Sequence, residues 1–115
     1  METKYTIMNP DGTAWNGTID WPREPGYARL RIFLEPTLRG ELEQVSVLAD
    51  FTGGDNFIPS DMFVNERGAD DKLPRNEAAT TLYRRASMLR MPTRDPEDLP
   101  FIFGTAVLFS RRVWF

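Results

Sequence analysis

The stretch Asn76-Glu-Ala-Ala-Thr-Thr-Leu-Tyr-Arg-Arg-Ala-Ser-Met-Leu-Arg-Met91 decides the fold class, because it has the marks of a helix at both ends. Asn76 is a favourable N-cap, and Glu77 places a negative charge in the first turn, where the helix dipole favours it. Pro92 stops the helix. Apolar side chains recur at helical spacing, which predicts that one side of the helix packs on the core. The members of this stripe are Ala79, Leu82, Tyr83, Ala86 and Leu89.

The segments at the beginning of the chain predict a β-hairpin followed by a short helix. Residues 4–8 and 13–19 have strand composition and flank Asn9-Pro10-Asp11-Gly12, a sequence typical of a tight turn. Residues 27–35 fit both a helical and a strand spacing, so periodicity alone leaves both open. We predict a short helix that ends before Pro36.

Three further strands are predicted around the long helix. Residues 42–49 and 61–65 alternate as strands do, and residues 50–60, with Gly53, Gly54 and Pro59, predict a loop between them. The stretch from Gly104 to Phe109 is continuously apolar, which is typical of a central strand covered on both faces. The chain is therefore expected to form one α+β domain, residues 1–115, in β-β-α-β-β-α-β order. Its economical arrangement is a mostly antiparallel sheet with two helices on one face.

The composition limits the possible functions. The 115 residues include no Cys and no His, which removes the thiol nucleophile, the commonest general base and the commonest transition-metal ligand. We therefore expect a non-enzymatic protein with no cofactor and no metal. The net charge of -3 argues against extensive nucleic-acid coating. No apolar run is long enough to span a membrane, and the first residues lack the apolar core of a signal peptide, so we expect a cytoplasmic protein.

Three short motifs resemble a family of small uncharacterised domains from bacteriophages, plasmids and their bacterial hosts. They are Asn-Glu-x-Gly at residues 65–68, Leu-Pro-x-Asn at 73–76 and Ala-Thr-x-Leu-Tyr at 79–83. The strand beginning at Gly104 resembles the closing strand of that family. The resemblance covers about half of the chain and implies the fold and a mobile-element origin. It implies no activity and no site residues.

The densest polar cluster in this region predicts a small-ligand or peptide pocket between a strand end and a helix start. Its members are Asn65, Glu66, Arg67 and Asn76. A helix N-terminus at Asn76 could bind an anion. The alternative is ordinary turn and cap chemistry, with Gly68 in a turn and Asn76 as the cap. The sequence leaves both interpretations open.

Two alternative functions rest on charged residues. Arg84 and Arg85 on the long helix, with Arg111 and Arg112 after the last strand, could contact the phosphates of a nucleic acid, with stacking by the aromatic residues nearby. The overall acidity makes this interpretation second to binding. Carboxylates around Glu66, namely Asp61, Asp70 and Asp71, could instead serve a hydrolase or bind a hard cation.

The chain ends in Trp114-Phe115, and this aromatic pair either packs back on the domain or forms a homodimer contact. Small size, missing catalytic residues and the family resemblance together favour a binding module. We expect it to act on a host protein or a small polar ligand, with a protein partner as the first expectation.

Overall fold

The computed structural model describes residues 1–54 and 56–115. In this part of the chain, five strands and two α-helices follow the predicted order, and one short 3-10 helix, which was not predicted, lies between α2 and the last strand. Asp55, within the predicted 50–60 loop, lies outside the described residues. The elements are β1 (Glu2–Met8), β2 (Ala14–Asp20), α1 (Tyr27–Leu38), β3 (Leu42–Ala49), β4 (Ile58–Asn65), α2 (Glu77–Arg90), the 3-10 helix (Pro96–Asp98) and β5 (Ala106–Phe109).

The strands form one antiparallel sheet in the order β2-β1-β5-β4-β3. All four residues of β5 are buried, which confirms the prediction of a central strand covered on both faces. β2 and β3 form the two edges. The α+β class and the order of elements are therefore confirmed.

The two helices pack on opposite faces of the sheet, whereas the sequence had suggested one shared face. Side chains alternate between faces along a strand. Met62 and Val64 of β4 belong to the hydrophobic cluster that contains Ala79 of α2. Phe63, between them, belongs to the cluster that contains Leu30 of α1. We call these the α2 face and the α1 face.

Helix α1 continues beyond Pro36, where the sequence predicted that it would end. Proline cannot donate a backbone hydrogen bond to the carbonyl of Ile32. Ile32 is 79% exposed, so this carbonyl lies on the solvent side, where water can replace the missing donor. The helix ends at Arg39, which adopts a left-handed conformation and donates its N–H to the Glu35 carbonyl at 2.8 Å.

Strand β4 begins at Ile58, three residues earlier than predicted, and therefore includes Pro59. Just beyond the end of β4, the Glu66 N–H donates to the carbonyl of Glu41 before β3. Bonded and non-bonded pairs alternate along an antiparallel ladder, so even-numbered β4 residues bond to β3 and odd-numbered ones direct their backbone groups away from it. β5 pairs only with Met62 and Phe63, further along the strand. The missing N–H of Pro59 thus lies where β4 has no ladder partner, as strand prolines require.

Helix α2 starts at the predicted cap and packs mainly against β3. Ala79 and Ala86 of its apolar stripe are buried, but Leu89 is 64% exposed. The helix reaches the edge of the sheet there. The guanidinium Nη2 of Arg90 donates to the Ser46 carbonyl of β3 at 3.3 Å. The apolar stripe of α2 therefore extends beyond the part of the sheet that covers it.

Candidate binding surface

Asn65 and Arg67, two of the four predicted ligand-binding residues, meet in a turn. Asn65 is buried, and its Nδ2 donates to the carbonyls of Leu38 and Arg39 at 3.1 and 3.4 Å. Its Oδ1 accepts from the backbone N–H of Arg67 at 2.8 Å. Asn65 thus joins the end of α1 to the turn after β4, and its amide is committed to these backbone groups.

Asn76 is committed in the same way at the start of α2. Its side chain is fully buried, and Oδ1 accepts from the N–H of Ala79 at 3.1 Å. Nδ2 donates to the carbonyls of Met8 and Gly104 at 3.0 and 2.9 Å. The predicted N-cap is confirmed. The two further bonds tie the helix to the end of β1 and to the segment before β5.

Glu66 and Arg67 are exposed, and Arg67 forms a loose ion pair with Asp71 at 3.7 Å. A cavity of about 210 Å³ lies beside this turn, between β4, α2 and the segment before β5. Asn65 and Glu66 line it together with Tyr83 and Phe101, whereas Arg67 and Asn76 do not. The structure therefore separates the predicted cluster into a lining pair, a surface arginine and a helix cap.

The acidic residues around Glu66 do not gather into a metal site. Across residues 1–54 and 56–115, no group of three or more metal-ligating side chains is close enough to hold an ion. Asp61 lies in the middle of β4 and is fully buried, away from the exposed Glu66, Asp70 and Asp71.

Asp61 has a structural partner set that its sequence position did not suggest. One carboxylate oxygen accepts from Gln44 Nε2 at 2.7 Å, and the other accepts from the N–H groups of Val113 and Trp114 at 2.7 and 2.8 Å. The signal in the sequence was its position two residues before Phe63, which places Asp61 on the α1 face. The carboxylate fastens residues 113–114 to that face.

The four arginines of the nucleic-acid interpretation do not form one surface. Arg84 lies with its guanidinium carbon 4.3 Å from the centre of the Phe101 ring and donates to the Leu99 carbonyl at 3.1 Å. Arg85 lies over Phe57 at 5.1 Å. Both belong to α2, whereas residues 111 and 112 precede Val113 in the cluster of the opposite face.

Arg111 connects this tail to the start of the sheet. It donates to Thr3 Oγ1 at 3.0 Å and to the carbonyls of Pro22 and Arg23 at 3.0 and 2.7 Å. Burial lowers the pKa of the Arg111 guanidinium from its ordinary value, and the nearby charge of Arg23 acts in the same direction. Arg112 is exposed.

The aromatic pair predicted as a dimer contact divides between the interior and the surface. Trp114 is half-buried and packs against Tyr27 and Phe63, with ring centres 6.0 and 6.1 Å apart. Phe115 is 64% exposed. The tail therefore packs back on the domain through Trp114, and Phe115 alone stays available to a partner.

A cavity of about 700 Å³ lies on the part of the α2 face that α2 does not cover. We call it the open half-face. Polar side chains of β1 and β2 surround it, and Leu108 of β5 and the acidic and aromatic side chains of Asp50 and Phe51, after β3, complete it. The lining residues are Lys4, Tyr5, Thr6, Asn16, Gly17, Thr18, Asp50, Phe51 and Leu108. Sequence reasoning missed this surface, although the paired polar positions in the predicted hairpin signalled a face without a helix.

Comparisons with protein-family models, with curated proteins and with solved structures found no match to this chain. Within the described residues, neither helix has the length and apolar character that crossing a membrane requires.

Proposed function

We propose that this chain is a binding module without catalytic activity, and that it holds a small polar ligand on the open half-face. The observation that carries this proposal is the cavity of about 700 Å³, whose size lies within the roughly 300–1,000 Å³ of small-molecule sites. The sequence left a host protein and a small ligand as alternatives. A concave surface surrounded by hydrogen-bonding side chains favours the ligand.

The half-face is open because α2 runs from the end of β1, where its first turn is bound, to the β3 edge, where its last turn is bound. At its first turn, Asn76 binds the carbonyl of Met8 at the end of β1 and that of Gly104 in the segment before β5. At its last turn, Arg90 binds the edge carbonyl of Ser46. The helix therefore crosses β3, and no described helix covers β1 and β2 on this face.

The lining chemistry suits a ligand with an acidic group near Lys4 and a small apolar part near Leu108, and the carboxylate of Asp50 disfavours a second acidic group on its side of the cavity. Lys4 is the one basic side chain that lines the cavity in the described part of the chain. Thr6 donates its hydroxyl hydrogen to Asn16 Oδ1 at 2.8 Å, which leaves the Asn16 amide hydrogens for an acceptor. Leu108 and Phe51 offer apolar contact on the inner side.

Nuclear magnetic resonance titration with a panel of carboxylic acids, phosphate monoesters and neutral polyols tests this proposal. We expect shift changes at the backbone amides of β1, β2 and Phe51. Lys4→Ala should weaken binding of the acidic probes about two- to fivefold, the effect of losing one exposed charge pair. Lys72→Ala is the matched control, because Lys72 is the only other lysine and lies in the turn before α2.

Shift changes confined to the Glu66 cavity would move the site there, and no change with any probe would overturn the proposal. Conversion of a bound probe into product would contradict the absence of catalysis. The bacteriophage or plasmid origin and the cytoplasmic location suggested by the sequence remain part of this proposal, and the neighbouring genes would test the origin.

A further inference from the structure

The two edges of the sheet differ in how well they are protected against pairing with another strand. Native proteins block edges with charges, prolines or covering side chains. At β3 the outward carbonyl of Ser46 is occupied by Arg90, and Glu43 adds a charge. β2, with the sequence Ala-Trp-Asn-Gly-Thr-Ile-Asp, has no proline and no basic residue, and its only charge is at its last position.

The register of the hairpin shows which backbone groups of β2 point outwards. The Asn9 N–H donates to the Thr13 carbonyl, and the Trp21 N–H donates to the Met1 carbonyl. Hydrogen-bonded and non-bonded pairs alternate in an antiparallel ladder, so odd-numbered residues of β2 bond to β1. The N–H and C=O groups of the even-numbered residues, from Ala14 to Asp20, therefore face away from the sheet.

Trp15 adds an apolar side chain to this unprotected edge. It is 73% exposed, although a tryptophan is among the side chains with most to gain from burial. It points to the α1 face, as does Ile19 of the same strand, which is half-buried. The edge thus presents backbone hydrogen-bonding groups and an apolar ring side by side.

We propose that β2 pairs antiparallel with β2 of a second copy of this chain, with the twofold axis at Gly17. This register uses the whole strand, and the outward even-numbered residues form the hydrogen-bonded pairs: Ala14 with Asp20, and Asn16 with Thr18. Trp15 then lies opposite Ile19 of the second copy, and this apolar pair occurs twice. The same patch serves both copies, as a twofold interface requires.

The charges and the central residue are compatible with this pairing. Asp20 faces the uncharged Ala14, so no like charges meet across the new ladder. Gly17 sits at the axis, where paired strands approach most closely. The Tyr5 ring occupies the space that a side chain at position 17 would need, and only glycine leaves that ring in place. Because the twofold contact uses the β2 edge of both copies, the assembly closes at two copies through this edge.

Mass measurement by light scattering and by native mass spectrometry tests the dimer directly. We expect the full chain to change with concentration from 13.2 kDa to twice that mass. Trp15→Lys and Thr18→Pro should each raise the dimer dissociation constant at least about tenfold. Proline at 18 removes an outward N–H and keeps the bonds to β1. Leu89→Lys is the matched control, because Leu89 is another exposed apolar residue far along the chain, and should leave the dimer unchanged.

A second measurement needs no variant. In the wild-type chain, the amide hydrogens of Asn16 and Thr18 should exchange more slowly as concentration rises, because only the dimer bonds them. A monomer at all concentrations, a dimer that survives both folded β2 variants, or a dimer lost on Phe115→Ala would overturn the proposal. Trp15 points away from the open half-face, so Trp15→Lys tests the dimer without touching the proposed ligand cavity.

Discussion

The α1 face and the α2 face of the same sheet are packed with different types of side chain. The α1 face is aromatic: Trp21 and Phe33 pack around Phe109, with ring centres 5.3 to 6.2 Å apart, and Phe63 meets Phe109 at 5.8 Å. The α2 face is aliphatic, and α2 presents small residues to it, among them Ala79 and Ala86. Large rings bury much apolar area per residue, so truncating one ring of the α1 face should cost more stability than truncating one small side chain of the α2 face.

Coverage differs as well as composition. On the α1 face, both α1 and residues 113–114 extend over the sheet. Asp61 holds residues 113–114 in place through their backbone N–H groups. On the α2 face, the helix stays near β3 and leaves β1 and β2 open. The two faces therefore differ in coverage: the sheet is packed over on the α1 face, whereas the α2 face keeps a concave surface beside β1 and β2.

The largest expected effect separates the two faces directly. Phe109→Ala should lower the free energy of unfolding by about 3–5 kcal/mol, because it opens a cavity in the aromatic cluster. Thr18→Ala on the open half-face should change it by no more than about 0.5 kcal/mol. Urea denaturation of both variants measures the difference. Similar losses would mean that the open half-face contributes to the core as much as the aromatic face does.

The next effect concerns the attachment of the tail to the α1 face. Asp61→Asn should lower the free energy of unfolding by about 1.5–3 kcal/mol, since the N–H groups of Val113 and Trp114 lose a charged acceptor. Hydrogen exchange at these two amides should become faster than elsewhere in the sheet.

Asp70→Asn is the control for Asp61→Asn, because Asp70 is exposed and no contact of its carboxylate is part of the tail attachment. Unchanged exchange at residues 113 and 114 in the Asp61→Asn variant would show that other contacts hold the tail.

The smallest expected effect is on the free energy of unfolding and concerns how Asn76 holds the start of α2. Asn76→Ser keeps a hydroxyl that can cap the helix but loses both bonds to the carbonyls of Met8 and Gly104, whereas Asn76→Ala loses the cap as well. We expect the two variants to differ by about 1 kcal/mol in the free energy of unfolding, the usual contribution of a cap. Thermal and urea unfolding of the pair measure it, and equal stabilities would indicate that the Ala79 N–H finds another acceptor.

Local patterns predicted the elements because their causes are local. The turn at Pro10 and Gly12, the cap at Asn76 and the apolar run of β5 each depend on neighbours in the sequence, and the structure confirms all three. The predicted end of α1 was wrong because Pro36 lies where solvent can replace the missing hydrogen-bond donor. The predicted start of β4 was wrong because the backbone nitrogen of Pro59 faces a side on which β4 has no partner strand.

The candidate site was less predictable than the fold. The motif residues Asn65 and Asn76 stood out as polar, yet both amides bind backbone groups far along the chain, and only the fold shows those partners. The open half-face could not be located from the sequence, because it depends on the path that α2 takes across the sheet. The polar positions of β1 and β2 were visible, but a polar strand face is also found on any solvated hairpin.

The sequence by itself determined the five strands, helix α2 and the central place of β5, because composition and spacing act over a few residues; for residues 27–35 it favoured a helix without excluding a strand. Only the tertiary structure decided that the helices take opposite faces, that Asp61 holds the tail and that β2 keeps an unprotected edge. These features depend on which face each helix covers, on the order of the strands and on contacts such as that between Asp61 and Val113, 52 positions apart, which no local pattern records.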